Sequence, residues 1–189
     1  MAEHVILFAG PMGAGKSTAI RSLSEIEVVA TEAGNSDRES VDKPTTTVAL
    51  DYGEITLGDD EKVRLYGIPG QRRFDFMWEI LKDRAVGMVL LINNDSPDPL
   101  LQLREFLDYF ADLYSRGGIV VAVTRSDIAR TPKLAEYSAA IAAHTPDMII
   151  PVFSVDARNT EQMRTTLITL ILNVETRAAI IGAETLKND

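Results

Sequence analysis

Eight residues, Gly10-Pro11-Met12-Gly13-Ala14-Gly15-Lys16-Ser17, stand between an apolar run, Val5–Ala9, and a segment of helical pattern from about Lys16 to Glu25. Glycine, four residues, glycine, lysine and a hydroxyl, set between a buried strand and a helix, form a phosphate-binding loop. Glycines let backbone N–H groups converge on phosphate oxygens beside the positive end of the helix dipole. In that loop Lys16 reaches the β- and γ-phosphates and the Ser17 hydroxyl faces Mg²⁺, with Gly10, Met12, Gly13, Ala14, Gly15 and Thr18 completing the cradle. The bland alternative, a tight glycine turn beside an incidental lysine, does not account for the full match in this setting.

The rest of the chain repeats the alternation that the loop begins. Val86–Ile92 and Ile119–Val123 are continuous apolar runs, the mark of parallel strands covered on both faces. Thr46–Leu57 and Lys62–Gly67 read as a hairpin turning near Asp59, and Met148–Phe153 as a last strand. Between them, Leu100–Tyr114, Pro132–Ala143 and Thr160–Ile181 carry helical patterns. Thr31–Lys43 is polar and aperiodic and reads as a surface loop. Strands alternating with helices predict an α/β three-layer sandwich of the phosphate-loop NTPase type, mostly parallel, with one antiparallel edge strand. One domain over residues 1–183 accounts for the pattern, with 184–189 as a short disordered tail.

Composition removes several function classes. There is no cysteine, so disulfide frameworks, thiolate metal sites and cysteine nucleophiles are excluded. A net charge of −9 disfavours a nucleic-acid footprint, which needs clustered lysine and arginine. No apolar stretch reaches the roughly 20 residues of a membrane span. A cytoplasmic protein is expected, with membrane association only through partners.

Motifs beyond the loop choose among kinases, ATPases and GTPases. Leu65-Tyr66-Gly67-Ile68-Pro69-Gly70-Gln71 follows the third predicted strand, and Pro44-Thr45-Thr46-Thr47 precedes the second. Thr124-Arg125-Ser126-Asp127 and Ser154-Val155-Asp156-Ala157 follow the last two strands. Over about residues 4–181 the chain resembles Ras-like small GTPases, and most of all the bacterial MglA-type polarity branch, itself similar to Arf-like GTPases and to the signal-recognition-particle receptor β subunit. The resemblance implies GTP and GDP as ligands with Mg²⁺, slow hydrolysis, and a signalling switch in polarity or motility controlled by partners, often Roadblock-type proteins. It makes Gln71 the residue that orients the attacking water, with Lys16 as the other catalytic group. Gly70 becomes the sensor of the γ-phosphate. Thr124, Arg125, Asp127, Ser154 and the Val155 N–H would read and enclose the base.

The departures carry physical consequences. Asp127 accepts from the N1–H and N2–H₂ of guanine and repels the N1 lone pair of adenine. Three threonines compete for the switch position; the MglA-type pattern favours Thr47 as the metal-facing hydroxyl, and the usual Ras pattern Thr45. Gly67 stands where most GTPases place the aspartate that holds a metal-bound water. Counting outward from the hairpin turn puts Asp51 opposite Gly67, where it could replace that carboxylate through a water; a one-residue slip would turn it to the other face instead. On this count, Gly67→Asp would partly compensate for loss of Asp51 if the backbone tolerates a side chain. Arg72 and Arg73 read as part of a partner-facing surface more than as catalytic groups. Phe74, Phe76, Met77 and Trp78 cannot all face the core at helical spacing. Two rival functions remain open: a nucleotide-bound scaffold with little hydrolysis, and a phosphate-loop ATPase or kinase.

Overall fold

The computed structural model describes residues 4–33, 48–57, 61–70 and 75–185. In chain order these give β1 (His4–Ala9), α1 (Lys16–Leu23), β2 (Val29–Ala33), β3 (Val48–Leu57), β4 (Glu61–Gly67), α2 (Asp75–Lys82), β5 (Ala85–Asn93), α3 (Pro99–Tyr109), α4 (Ala111–Ser115), β6 (Ile119–Thr124), α5 (Leu134–His144), β7 (Val152–Ser154) and α6 (Thr160–Thr185). The seven strands form one sheet in the order β2-β3-β4-β1-β5-β6-β7. Alternation along each central strand divides the core into two. Leu7, Met88, Leu90, Ile92, Val121 and Val123 enter the layer that holds α3 and α5. Ile6, Phe8, Val89, Leu91, Val120 and Ala122 enter the layer of α1 and α6. Both faces are covered, which is why these strands read as unbroken apolar runs.

β1 pairs in parallel with β4 on one side and β5 on the other. The connections diverge there, and in open α/β sheets ligands sit outside the carboxyl ends of the strands at such a point. The phosphate loop leaves β1 at that end.

The expected mostly parallel α/β sandwich is present, with several element positions shifted. β3 is the antiparallel strand, but it is not at the edge, because β2 pairs along its outer side from Val29↔Tyr52 to Ala33↔Val48. β2 takes in the first three residues of the stretch read as a loop; strand formation there comes from pairing with β3, which leaves no apolar alternation to detect. The helix expected over Leu100–Tyr114 is two, broken at Phe110, whose ring is fully buried and whose carbonyl accepts from Leu113 and Tyr114. The last strand shrinks to three residues because Pro151 has no N–H for the ladder, although its carbonyl still accepts from Val121. α6 runs through Thr185, two residues into the expected tail, and 186–189 lie outside the described residues.

Of the apolar cluster after Gln71, Trp78 is buried. It stacks on Phe106 and Phe110, meets Tyr109 edge-on, and donates from Nε1 to the Pro69 carbonyl at 2.9 Å. Phe74 and the side chains of Phe76 and Met77 lie outside what is described.

Candidate functional site

The phosphate loop is fixed from beneath by close backbone approach. Gly10 has φ 138°, and a β-carbon there would lie 2.0 Å from the Leu91 carbonyl oxygen. Gly15, with φ 99°, caps the N-terminus of α1, so the loop turns into the helix where only glycine is unstrained. From the other side Gly70 closes down: a β-carbon on it would sit 2.3 Å from the Gly10 carbonyl oxygen and 2.9 Å from the Met12 nitrogen. Gly70 is therefore packed directly on the phosphate loop, next to Pro69, which Trp78 holds.

Lys16 opens α1 and folds over the loop, its Nζ donating to the carbonyls of Gly10 and Pro11, each at 2.8 Å. Burial pushes its pKa down to about 8, and the Asp51 carboxylate partly opposes that shift. One residue on, the Ser17 hydroxyl donates to Asp51 Oδ2 at 2.5 Å. Asp51 reaches α1 because β3 and β4 pair with Asp51 opposite Gly67, the register counted from the hairpin. The side chain faces the phosphate loop and not the other side of the sheet.

The structure also explains the glycine. A β-carbon at Gly67 would lie 3.1 Å from both Cβ and Oδ2 of Asp51 and 2.9 Å from Ile20 Cδ1. The two strands have one carboxylate-sized space between them, and Asp51 fills it. Compensation by Gly67→Asp therefore requires Asp51 and the tip of Ile20 to shift.

At the far end, β6 delivers the second half of the site. Thr124 is buried and its Oγ1 donates to the Ala14 carbonyl at 3.1 Å. Arg125, at φ 59°, turns its guanidinium back onto the loop, donating to the Gly13 carbonyl and to Asp95 Oδ2, both at 2.9 Å. The Arg125 contact is the first cause holding the Asp95 carboxyl below its usual range. Asp95 was not singled out from the sequence; the signal available was the polar run Asn93-Asn94-Asp95 directly after a buried strand.

An open cavity of about 770 Å³ joins the two halves. Gly13 to Thr18 line one end, and Thr124, Arg125, Asp127, Ser154 and Val155 the other. Asp127 is exposed to that cavity. Gly10 and Met12 are absent from its lining: Gly10 is packed on Leu91, and Met12 is exposed. One expected contact is corrected. The Val155 N–H donates to the Val123 carbonyl at 2.9 Å, because the β6–β7 ladder runs one residue past β7, so it is not turned to a base. The next amide, of Asp156, donates to Gln162 Oε1 at 2.7 Å. Gln71, Thr47 and the competing Thr45 and Thr46, with Arg72 and Arg73, lie outside the described residues. Among the described residues no helix is long and apolar enough to cross a membrane.

A family model described as "conserved hypothetical ATP binding protein" matches residues 25–176. The chain belongs to that family. The match runs from just past α1 into α6, so this member carries its phosphate loop ahead of the matched stretch. The chain is 28% identical over 129 residues to intraflagellar transport protein 22 of Chlamydomonas reinhardtii, covering 65% of this chain and 64% of that one. It is 31% identical over 90 residues to an uncharacterised protein of Methanocaldococcus jannaschii, covering 47% and 51%. It thus spans less than two thirds of the length of either curated relative. The fold is that of small GTPase G domains: the Arl6 BBS3 small GTPase of Trypanosoma brucei with bound GppNp superposes with TM-score 0.66 at 13% identity, over 93% of this chain and 99% of that one. The G domain of the T. maritima FeoB iron transporter does so with TM-score 0.60 at 18% identity, over 94% and 99%.

The crowding at Gly67 makes a prediction. Gly67→Asp should lower stability by about 1–3 kcal/mol, the range for overpacking a filled interior. Urea unfolding measures it, and a variant as stable as the native protein would show that the strands have room for two carboxylates.

Proposed function

We propose that this chain is a guanine-nucleotide switch that binds GTP and hydrolyses it to GDP and phosphate. The observation that carries the reading is the single cavity that ends in the phosphate loop on one side and in Asp127 on the other. A triphosphate seated among the Gly13–Thr18 amides directs its base to the loop that follows β6. There a carboxylate accepts two hydrogen bonds from guanine and faces a lone pair on adenine. The Arl6 neighbour carries GppNp, a guanine-nucleotide analogue, which supports a guanine nucleotide as the ligand here.

The donor set at the foot of the loop fits a hard cation such as Mg²⁺: a serine hydroxyl and a carboxylate oxygen 2.5 Å apart, with oxygen ligands only. Ser17 would hold the ion directly and Asp51 through a water, with Thr47 as the further hydroxyl. When bound, Mg²⁺ supplies neutralisation of the charge on the β- and γ-phosphates. Lys16, drawn off the loop carbonyls by a triphosphate, would add a second positive charge at the same place. In hydrolysis Gln71 orients a water toward the γ-phosphorus; the bond to the β–γ bridging oxygen breaks, and GDP, phosphate and a proton leave. The roles of Gln71 and Thr47 rest on the sequence motif. So does control by a partner of Roadblock type in a bacterial polarity or signalling pathway, as in the MglA-type branch.

ATP is the second reading, favoured by the words of the family description. Competition between GTP and ATP separates the two. GTP should bind at least about a hundredfold more tightly, since the wrong base leaves the Asp127 carboxylate unmatched. Equal affinities would remove the guanine assignment.

Gln71→Leu tests the enzyme against a nucleotide-bound scaffold. The variant should keep its affinity for GTP and lose most single-turnover phosphate release, because the side chain places water and does not hold the ground state. Release at an unchanged rate would show that Gln71 has no part in hydrolysis.

Asp51→Asn tests the relocated carboxylate. The amide keeps the size of the side chain and removes its charge, so the Mg²⁺ concentration needed for half-maximal GTP binding should rise about tenfold while the melting temperature stays within a few degrees. An unchanged Mg²⁺ requirement would leave Asp51 as a hydrogen-bond partner of Ser17 and nothing more.

A further inference from the structure

The loop that carries Asp127 is held by a buried amide outside the cavity. Asn94 follows β5 and is 3% exposed. Its backbone N–H donates to the Thr124 carbonyl at 2.9 Å, where the loop begins. Its side-chain Nδ2 donates to the carbonyls of Ala129 at 2.7 Å and Pro132 at 3.1 Å, where the loop ends. Its Oδ1 accepts from the Tyr137 hydroxyl at 2.6 Å. Tyr137 stands on α5 and is fully buried. One residue thus spans the segment 125–132 at both ends, and Asp127 lies between them. Within the loop, Ile128 and Ala129 also donate to the Arg125 carbonyl, which tightens the turn on either side of Asp127.

The network fixes its own orientation. Two carbonyls can only accept, so they require the amide nitrogen; the hydroxyl then meets the oxygen. Burial raises the Tyr137 pKa well above its ordinary value and keeps that hydroxyl a donor. No shorter, longer or charged side chain at position 94 satisfies two carbonyls and a hydroxyl at once. Part-buried carbonyls left without a donor would pull the loop toward water.

We propose that Asn94, oriented by Tyr137, is a positioning residue that sets the place of Asp127 and with it the preference for guanine. This rests on the reading of the cavity as a nucleotide site with Asp127 at its base end. Neither residue lines the cavity, so their effect on ligands passes through the loop. Base reading then needs two groups from different parts of the chain: a carboxylate after β6 and an amide after β5 that holds it in place.

The test measures the affinities of GDP and ADP for the full chain and for Asn94→Ala and Tyr137→Phe. ADP makes no favourable bond to Asp127, so it reports the phosphate loop and the general integrity of the fold. GDP reports the carboxylate as well. In Asn94→Ala the affinity for GDP should fall about tenfold, the scale of hydrogen bonds to a charged group, while that for ADP changes less than about twofold. Tyr137→Phe, which removes one oxygen and keeps the ring in its pocket, should shift the GDP-to-ADP ratio the same way by about threefold. It decides the matter if Asn94→Ala does not fold. A parallel loss of both ligands, or an unchanged ratio in Tyr137→Phe, overturns the proposal and leaves the network as a packing feature. If the native protein itself binds GDP and ADP alike, the base reading of the cavity fails and takes this role with it.

Discussion

Side chains hold the carbonyl oxygens of Gly10, Pro11, Gly13 and Ala14: Lys16 takes the first two, Arg125 the third and Thr124 the fourth. In a trans peptide the carbonyl and the following N–H point in opposite directions. Fixing the Ala14 oxygen toward Thr124 therefore sends the amide of Gly15 the other way. A glycine-rich loop has no rigidity of its own, so its shape as an anion cradle depends on what grips its oxygens. Two of the three grips come from the end of β6 and the residue after it, more than a hundred residues along the chain. The loop after β1 and the loop after β6 are consequently one mechanical unit.

That coupling explains why some of the site was legible in the sequence and some was not. The phosphate loop is a local device: its glycines, lysine and serine act through backbone conformation and the start of a helix, and both are encoded within ten residues. The hairpin is nearly as local, and its register could be counted from its turn, which placed Asp51 opposite Gly67. Asn94 and Asp95 are different. They follow β5 as an ordinary polar stretch, and their partners on the loop after β6 lie about thirty residues or more away, at distances only the folded sheet sets. The Val155 amide failed for a related reason. A motif names the residue, but how far a strand ladder runs decides whether its N–H is still free to meet a ligand.

The limits of element reading follow from the same division. Central strands buried on both faces announce themselves as unbroken apolar runs, and these were placed to within a residue or so. β2 has no such run, and its pairing with β3 is a tertiary effect. The break at Phe110 is also tertiary. Helical spacing continues through it, while the ring sits against Trp78 in an aromatic stack that draws on α2, α3 and the turn between α3 and α4. That stack matters to the site because Trp78 also holds Pro69, and Pro69 sets Gly70 against the phosphate loop.

The pairing of Gly67 with Asp51 shows how closely two strands and a helix meet beside Ser17. The space between β3, β4 and the first turn of α1 accommodates one carboxylate, and cross-strand partners in an antiparallel pair present side chains to nearly the same point. Either strand can therefore deliver the group, provided the other yields its β-carbon. With Asp51 accepting from Ser17, the carboxylate sits on the strand that follows Pro44–Thr47, and β4 keeps a glycine three residues before Gly70. Movement at Gly70 then need not carry the carboxylate along with it. Conversely, any displacement of β3 shifts Asp51 against Ser17 directly, since only a 2.5 Å hydrogen bond separates them. A carboxylate carried by β3, and not by β4, ties the surroundings of Ser17 to the position of β3.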